Sequence, residues 1–230
     1  MNNPVVLIAS LALATLLPFV LASGSCFLKF SVVFSLLRSG IGLQQVPSNI
    51  VLYGIALVMT SFVMMPIFNQ VQDYYYTQHV DLNDAASMQQ FLDDGLSPYR
   101  KYLARYADRD MVQFFGELHE AQLRDDTDAS EPPLPRDRDD RIDPEQAPLI
   151  TLLPAYALSE LKSAFEIGFY IYLPFLVVDM LVSNVLLSLG MMMMSPVTIS
   201  LPIKLILFVS MDGWNKVVKG LILQYVQLRH

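Results

Sequence analysis

The chain has 230 residues, 53% of them hydrophobic, and a formal net charge of −7. Residues 69–150 hold 18 of the 22 acidic and 8 of the 15 basic residues, so this segment carries −10 and the flanking parts carry +3. The mean hydropathy of +0.41 is unusual for a soluble domain, and the mostly acidic charge argues against nucleic-acid binding, which needs clustered basic residues.

The first apolar run, Pro4 to Ala22, has two interpretations. It is N-terminal and small residues follow it, as in a secretory signal peptide, but no lysine or arginine precedes it. Because a signal peptide begins with positive charge, we favour a retained helix that kinks or turns at Pro18.

A connector, residues 23–49, carries Lys29 and Arg38 and no acidic residue, so we predict that it is cytoplasmic. Four apolar residues recur with the spacing of one helix face: Phe30, Val33, Phe34 and Leu37. This pattern predicts an amphipathic helix over Lys29 to Ser39. The single cysteine, Cys26, cannot form an intrachain disulfide, and we interpret it as a small buried hydrophobic residue.

The second apolar run, Ile50 to Phe68, contains no charge and is long enough to cross a membrane, which takes about 20 apolar residues. Pro66 lies near its end. A polar cluster precedes the run: Gln44, Gln45 and Asn49. These side chains either form a solvated loop or make hydrogen bonds to another subunit.

Asn69 to Pro148 is a polar insert, which the alternation of spans predicts to be extracytoplasmic. Three short helices are predicted in it: one over Asp84 to Leu92, one capped by Ser97 with Pro98 at its first position, and one capped by Asp108. The third helix has a predicted apolar face formed by Met111, Phe114, Phe115 and Leu118. These faces are too few for a sizeable core, so the helices are expected to pack on their neighbours.

Arg124 to Pro148 consists almost entirely of charged residues, small residues and prolines. Such a segment buries too little apolar surface to offset its ordering entropy, so we predict a disordered loop. A calcium site is the alternative for so many aspartates, but the ligand spacing of an EF-hand is absent.

The C-terminal part, after an amphipathic helix over Leu149 to Lys162, contains an apolar arm that begins at Phe165 and is long enough to cross a membrane. Gly190 is predicted to end the arm, because glycine takes the left-handed conformation at a helix C-terminus. Pro196 and Pro202 are predicted to prevent a continuous helix, so that Met191 to Leu201 is irregular.

The break opens with Met191, Met192, Met193 and Met194. Methionine is flexible and fills irregular gaps, so these residues are either core filler or a soft apolar collar around a hole. The next apolar segment, Ile203 to Met211, would be about 13 Å long as a helix and too short to cross a membrane core of about 30 Å. The chain therefore either spans as one helix through Asp212 or is not conventionally inserted here.

Charges are rare in the C-terminal half, and three of them are candidates for pairing: Glu160, Asp179 and Lys204. An ionised side chain in a membrane is costly, at least about 2.5–3.5 kcal/mol on insertion scales, so such residues pair or face water. We predict a Glu160–Lys204 or an Asp179–Lys204 pair. A proton relay is the alternative, but no histidine or further carboxylate continues a path.

No motif in the sequence indicates an enzyme, a cofactor site or a metal site. The three histidines, His79, His119 and His230, lack a second ligand at metal-binding spacing. Phosphate-binding glycine loops, nucleophile elbows, zinc-protease motifs and paired catalytic cysteines are all missing from the sequence. We therefore predict a protein that is not an enzyme and that needs no cofactor.

Two long blocks of sequence resemble a known family. Residues 153–214, LPAYALSELKSAFEIGFYIYLPFLVVDMLVSNVLLSLGMMMMSPVTISLPIKLILFVSMDGW, and residues 29–49, KFSVVFSLLRSGIGLQQVPSN, are similar to the C-terminal and N-terminal signatures of the SctR/FliP family. These are membrane proteins of the export apparatus of type III secretion systems and of the bacterial flagellum. The ALSELK and four-methionine forms resemble the virulence (injectisome) branch, and the match leaves out the acidic middle.

The resemblance implies an all-α fold of membrane-associated helical hairpins with a small helical polar insert, assembling into a ring of five copies. It implies SctS-like and SctT-like partners, unfolded polypeptide substrates and a location in the bacterial inner membrane, in contact with lipid. We expect three parts: a hydrophobic hairpin over 1–68, the insert over 69–150 and the methionine-containing helices over 151–230. The four methionines would then form a gasket at the pore.

A transporter of small molecules or ions, coupled through Asp179, is the alternative function. Broken helices at the membrane midplane occur in both classes of protein. Transporters, however, are commonly built from internal repeats, and the two apolar halves show no convincing inverted similarity.

Overall fold

The computed structural model describes residues 22–78, 85–125, 142–191 and 193–226, together with Thr15 and Phe19. Eight α-helices have described bounds: α1 Phe27–Ile41, α2 Asn49–Thr77, α3 Ala85–Gln90, α4 Ser97–Tyr106, α5 Arg109–Asp125, α6 Leu149–Ser188, α7 Pro196–Ser210 and α8 Gly213–Val226. A π-helical turn, Phe91–Gly95, joins α3 to α4. No strand occurs in these ranges, which confirms the predicted all-α class.

Two helices are long and apolar enough to cross a membrane: α2, with 29 residues, and α6, with 40. The pair α7 and α8 would count as a third crossing if it forms one broken span. The span predicted over residues 50–68 lies within α2, but the helix continues through Pro66 to Thr77. A proline removes only its own backbone hydrogen bond, and helices in membranes tolerate that loss.

The apolar arm and the amphipathic helix that precedes it form one continuous helix, α6. Two residues after Ser188, the turn that terminates the helix contains Gly190, which has a φ of +73°. The amide of Met191 donates to the carbonyl of Leu186 (3.0 Å), and the amide of Gly190 donates to that of Leu187 (3.1 Å). These two bonds form a Schellman motif, which explains why a residue without a Cβ stands at this position.

The irregular segment is shorter than predicted. Helix α7 begins at Pro196, with Ser195 at the N-cap, because a proline at the first helical position has no N–H to satisfy. The predicted break at Pro202 is wrong, because this residue lies inside α7. Ser200 and Lys204, on either side of Pro202, are both bonded to the same carboxylate on α6, so tertiary contacts hold α7 before and after the proline.

The chain bends by 59° between α7 and α8, so one straight helix through this region is excluded. Asp212 forms the bend with a φ of +53°, and its carbonyl accepts the first backbone bond of α8 from Lys216 (3.1 Å). Gly213 packs directly against the ring of Phe208, where a Cβ would collide with it. The bend is therefore defined by close packing.

Contacts group the chain into two compact units. The hydrophobic unit comprises residues 27–63 and 161–230, and the insert unit comprises residues 1–26 and 64–160. The predicted division into residues 1–68, 69–150 and 151–230 follows composition and stays a prediction. Residues 126–141, which make up most of the loop predicted to be disordered, lie outside the described residues. So do residues 4–14, 16–18, 20 and 21 of the first apolar run, including the kink predicted at Pro18.

The core of the hydrophobic unit lies between α1, α6 and α7. Its fully buried members are Leu37, Ile41, Phe175 and Phe208. The predicted face of the α1 helix is confirmed, because Phe30, Val33, Phe34 and Leu37 all have no exposed surface. Gly168 of α6 permits a close approach of Leu36, since a Cβ there would collide with the leucine side chain.

Tyrosines organise the insert unit. The hydroxyl groups of Tyr102 and Tyr156 share a hydrogen bond of 2.6 Å, and the hydroxyl of Tyr99 donates to the carbonyl of Gly24 (2.8 Å). Cys26 is fully buried, as predicted. Burial raises the pKa of Tyr99 to about 12 and also raises the pKa of Tyr106. The neutral phenols are therefore the forms that the fold stabilises.

Two details of the insert differ from prediction. Ser97 is the first residue of α4 and not its cap, because the π-helical turn runs into α4 and leaves Leu96 at the N-cap. Asp108 does cap α5, accepting from the amide of Asp110 (3.1 Å). The buried face of α5 is formed by Val112 and Gly116 and not by the predicted apolar face, of which Phe114 and Leu118 are exposed.

Gly116 explains the choice of face in α5. A Cβ added to Gly116 would lie 2.2 Å from the Cδ1 of Ile142, so the isoleucine side chain would have to move to admit a larger residue. The helix therefore turns its glycine inward and leaves the larger apolar side chains outside. A turn follows Ile142, and in it the side chain of Asp143 accepts a hydrogen bond from the amide of Glu145 (3.1 Å). This turn belongs to the C-terminal end of the stretch predicted to be disordered.

We expect Gly190→Ala to destabilise the protein by about 1–2 kcal/mol, because a left-handed backbone costs an L-residue that much. Gly220→Ala is the matched control. Neither glycine has a neighbouring atom within 4 Å of the added Cβ, but Gly220 lies inside α8, where alanine should stabilise by up to about 1 kcal/mol. Thermal unfolding of the two variants in one detergent should shift in opposite directions, and equal shifts would contradict the role of φ.

We expect stability to fall as the pH rises from about 10 to 12. A tyrosine with a raised folded-state pKa contributes stability that is present below its unfolded pKa of about 10 and is lost as the pH passes its folded pKa. Tyr99→Phe should cost about 0.5–1.5 kcal/mol at neutral pH through the lost hydrogen bond and should make the alkaline decline shallower. Unfolding midpoints over a pH series test this, and a decline as steep as in the parent protein would refute it.

Candidate functional site

The candidate site is the tip of the helical hairpin formed by α6 and α7. Residues 189–195 connect the two helices. Met191 is 40% exposed, Met194 is 45% exposed and Met193 is completely exposed in the single chain, whereas Met192 lies outside the described residues. The described methionines are therefore not filler of a core within this chain.

Below the tip, a polar cluster joins the two helices of the hairpin. The Nζ of Lys204 on α7 lies 2.5 Å from the Oδ2 of Asp179 on α6. The hydroxyl of Ser200, one turn before Lys204, donates to the Oδ1 of the same carboxylate (2.6 Å). Both oxygens of Asp179 thus have a donor from α7, and the hairpin is held together at this level.

Lys204 also reaches a third helix. Its Nζ lies 3.4 Å from the carbonyl oxygen of Gly40, in the last turn of α1. The last four carbonyls of a helix have no partner within the helix, and a cation near that end is favoured by the helix dipole. Lys204 therefore caps α1 while it pairs with α6.

The cluster is set inside apolar packing. The side chain of Lys204 is 5% exposed and that of Asp179 is 33% exposed. A Cβ on Gly40 would press against the rings of Tyr172 and Phe175, at 3.0 and 3.2 Å, so the small residue is needed for α1 to approach α6. A buried ammonium in such surroundings needs its partners, since an unpaired charge there costs several kcal/mol.

Glu160, the third candidate for pairing, belongs to the insert unit. It is 1% exposed. Burial is the main cause that raises the pKa of Tyr102 and of Tyr106, and the charge of Glu160 adds to both shifts. The neighbouring Ser159 accepts a hydrogen bond from the amide of Asp108 (2.7 Å) and donates to the carbonyl of Ala155 (2.6 Å). Glu160 is thus part of the polar network of that unit.

Sequence reasoning missed two participants. Ser200 stands four residues before Lys204 and hence on the same helix face, a signal that was available. The carbonyl of Gly40 carries no side-chain signal, and its role follows only from the place where α1 ends. Sequence reasoning also did not anticipate that Pro202 would lie between two residues that bind one carboxylate.

The cluster can hold helices together, but its groups offer no evident reaction chemistry. Both carboxylate oxygens accept hydrogen bonds and the ammonium is engaged by two acceptors. Across the described ranges, no group of three histidine, cysteine or acidic side chains is placed to hold a metal ion. His79 and His230 lie outside these ranges, and His119 lies on α5.

Comparison with known proteins identifies the family. Residues 10–221 match the FliP family. The chain is 54% identical over 228 residues to the surface presentation of antigens protein SpaP of Salmonella typhimurium, a match that covers 99% of both chains. It is 44% identical over 219 residues to the Yop proteins translocation protein R of Yersinia pestis, covering 95% of both chains.

A third relative is matched over nearly its whole length. The chain is 38% identical over 224 residues to the harpin secretion protein HrcR of Erwinia amylovora, with 97% of both chains covered. These matches include the acidic middle of the chain, which lies between the two family-like blocks at residues 29–49 and 153–214. The chain therefore belongs to the FliP family and is a type III secretion export-apparatus protein of the injectisome type.

Proposed function

We propose that this chain is a core pore-forming subunit of the type III secretion export gate, through which unfolded proteins cross the bacterial inner membrane. The observation that carries the proposal is the exposure of Met191, Met193 and Met194 at the end of a hairpin that is clamped by Lys204. The chain contributes the passage and its seal, and it catalyses no reaction.

The chemistry of the tip suits a seal. Methionine has three rotatable bonds and a polarizable sulfur, so several such side chains can close a gap of irregular shape and move aside for a varied polypeptide. The backbone at the base of the tip, in contrast, is held by the left-handed Gly190 and by Pro196 at the start of α7. A soft seal on a rigid support is what a gate for unfolded chains requires.

The gate needs more than one copy of the chain. A ring forms when one surface of each subunit binds a different surface of the next and the rotation closes. Support comes from the outer side of α6, where large apolar side chains are more than half exposed in the single chain: Phe165, Phe169, Val177, Met180, Leu181 and Val185. We propose a pentamer of this chain, completed by SctS-like and SctT-like subunits and surrounded by membrane lipid.

The apolar helices α2 and α6 and the family both indicate a protein of the inner membrane. We propose a multi-pass arrangement with the acidic insert on the extracytoplasmic side. Support comes from the charges, because the charged residues of α1 are all basic and cytoplasmic connectors are enriched in basic residues. Energy for export would come from a separate ATPase and the proton-motive force.

The structure offers little support for the alternative, a transporter coupled through Asp179. A coupling carboxylate must exchange its partner for the transported ion or proton. Both oxygens of Asp179 already accept hydrogen bonds from Ser200 and Lys204 within the chain.

If the tip seals the pore, replacing Met192 and Met193 by alanine should open it. The smaller side chains leave a gap, so bacteria or vesicles that contain the assembled variant should leak small solutes while the amount of assembled complex is unchanged. Entry of a small fluorescent dye, measured beside native gel electrophoresis of the complex, tests this.

Met65→Ala is the matched control, because Met65 is equally a methionine, is 61% exposed and lies on α2, outside the tip. It should not leak. A normal dye barrier in a fully assembled tip variant, or an equal leak in the control, would count against the gasket.

If Asp179 and Lys204 clamp the hairpin, Asp179→Ala or Lys204→Ala alone should cost about 3–5 kcal/mol, because each leaves its partner charge with fewer contacts. The exchange of both, Asp179→Lys with Lys204→Asp, should recover part of the assembly and secretion. Recovery stays partial, because an aspartate at 204 would face the carbonyl of Gly40.

Ser200→Ala serves as the reference in the same measurements. It removes one hydrogen bond from the same carboxylate and should cost only about 0.5–1.5 kcal/mol. An exchange variant as defective as either single variant would refute the pairing.

A further inference from the structure

Helices α1 and α8 form a pair that is built from aromatic contacts. The rings of Phe30 and Tyr225 lie 5.7 Å apart, edge to face, and those of Phe34 and Trp214 lie 6.3 Å apart. The Nζ of Lys29 stands 4.9 Å from the centre of the Tyr225 ring. These contacts hold α8 alongside α1.

The pair has an unusual charge for an acidic protein. Neither Phe27–Ile41 nor Gly213–Val226 contains an aspartate or a glutamate. The two helices together carry four basic residues: Lys29 and Arg38 on α1, and Lys216 and Lys219 on α8. Lys29 is buried against Tyr225, and the guanidinium of Arg38 donates to the carbonyl of Pro47 (3.0 Å). Two cations of the pair are thus engaged inside the chain.

The other two, Lys216 and Lys219, are exposed on α8. No carboxylate in the described ranges lies within ion-pair distance of either ammonium group. The nearest acidic residue along the chain, Asp212, accepts both of its side-chain hydrogen bonds from the amide of Asn215 (2.8 and 2.9 Å). The exposed side of α8 therefore presents two positive charges that its own surroundings do not neutralise.

The order of residues along α7 and α8 indicates what kind of partner neutralises the charges of Lys216 and Lys219. Helix α7 exposes large apolar side chains, with Ile206 at 70% and Val209 at 72%. The bend follows, then the half-exposed Trp214, and then the two lysines. Apolar side chains, a tryptophan and lysines in this order are typical of a chain that passes from the hydrocarbon core of a membrane through its interface to the phospholipid headgroups.

We propose that the exposed side of α8 binds the headgroups of anionic phospholipids through Lys216 and Lys219, with Trp214 at the level of the interface. The bend of 59° turns α8 away from the direction of α7, and the aromatic contacts with α1 hold it there. The ligand is a phosphodiester headgroup with a net negative charge, since α8 offers cations and no acidic group that would favour a zwitterionic one.

Purified full-length protein in detergent, titrated with phosphatidylglycerol or with phosphatidylcholine, tests the proposal. Bound lipids are counted by native mass spectrometry. Replacing both lysines, Lys216→Gln with Lys219→Gln, should weaken phosphatidylglycerol binding about 30-fold, as expected for two lysines near an anionic surface. Binding of phosphatidylcholine should not change, and Lys216→Arg with Lys219→Arg should bind like the parent protein.

The matched control is Lys101→Gln with Arg105→Gln, which removes two exposed cations from α4 of the insert. It changes the net charge equally and should leave lipid binding unchanged. The parent protein should also lose phosphatidylglycerol, but not phosphatidylcholine, as the salt concentration rises, and this measurement does not depend on any variant.

Three results would overturn the proposal. Phosphatidylglycerol binding that is the same in the glutamine variant and the parent would show that the lysines take no part. An equal weakening in the α4 control would indicate a nonspecific effect of net charge. Loss of another export-apparatus subunit from the purified complex, with lipid binding intact, would assign this side of α8 to a protein partner.

Discussion

The buried ammonium of Lys204 is the constraint on which the hydrophobic unit depends. A cation removed from water must recover several kcal/mol from its partners, and only a few arrangements of helices provide them. Here one carboxylate oxygen from α6 and one carbonyl from the end of α1 lie within reach of the same Nζ. The position of α7 between these two helices follows from that requirement.

The same requirement explains why the hairpin of α6 and α7 keeps its shape close to an irregular tip. The polar contacts lie on α6 at Asp179 and on α7 at Ser200 and Lys204, so they join the helices several residues away from the methionines. Among the described residues of the tip, the amides of Gly190, Met191 and Met194 donate to backbone carbonyls, and Thr198 donates its amide and its hydroxyl to the carbonyl of Ser195. Apolar side chains at the tip are thereby left available for contacts outside the chain.

Much of this arrangement could be read from the sequence, because apolar periodicity and helix-ending residues act locally. The α1 face and the end of α6 at Gly190 follow from such local rules. The sequence indicates that Lys204 needs a charged partner. It does not indicate which carboxylate is that partner, because the choice depends on how α6 and α7 lie against each other.

The failures have physical reasons of the same kind. Pro202 is tolerated inside α7 because the residues on both sides of it are bonded to Asp179, a tertiary effect that overrides a local preference. The inward face of α5 includes Gly116, whose small size matters only once Ile142 is known to be its neighbour. A large apolar side chain such as Phe114 favours burial, but here the side chain of Ile142 packs against the face that carries the glycine.

The Schellman end of α6 has a consequence for damage to the protein. Its bonds run between backbone atoms of Leu186, Leu187, Gly190 and Met191, and none of them uses a sulfur atom. Oxidation of the exposed Met193 to the sulfoxide would therefore make an apolar surface polar without breaking the hydrogen bonds that end α6. In the gasket that we propose, oxidants and the reductases that reverse their action would change the seal of the pore and would leave these backbone bonds in place.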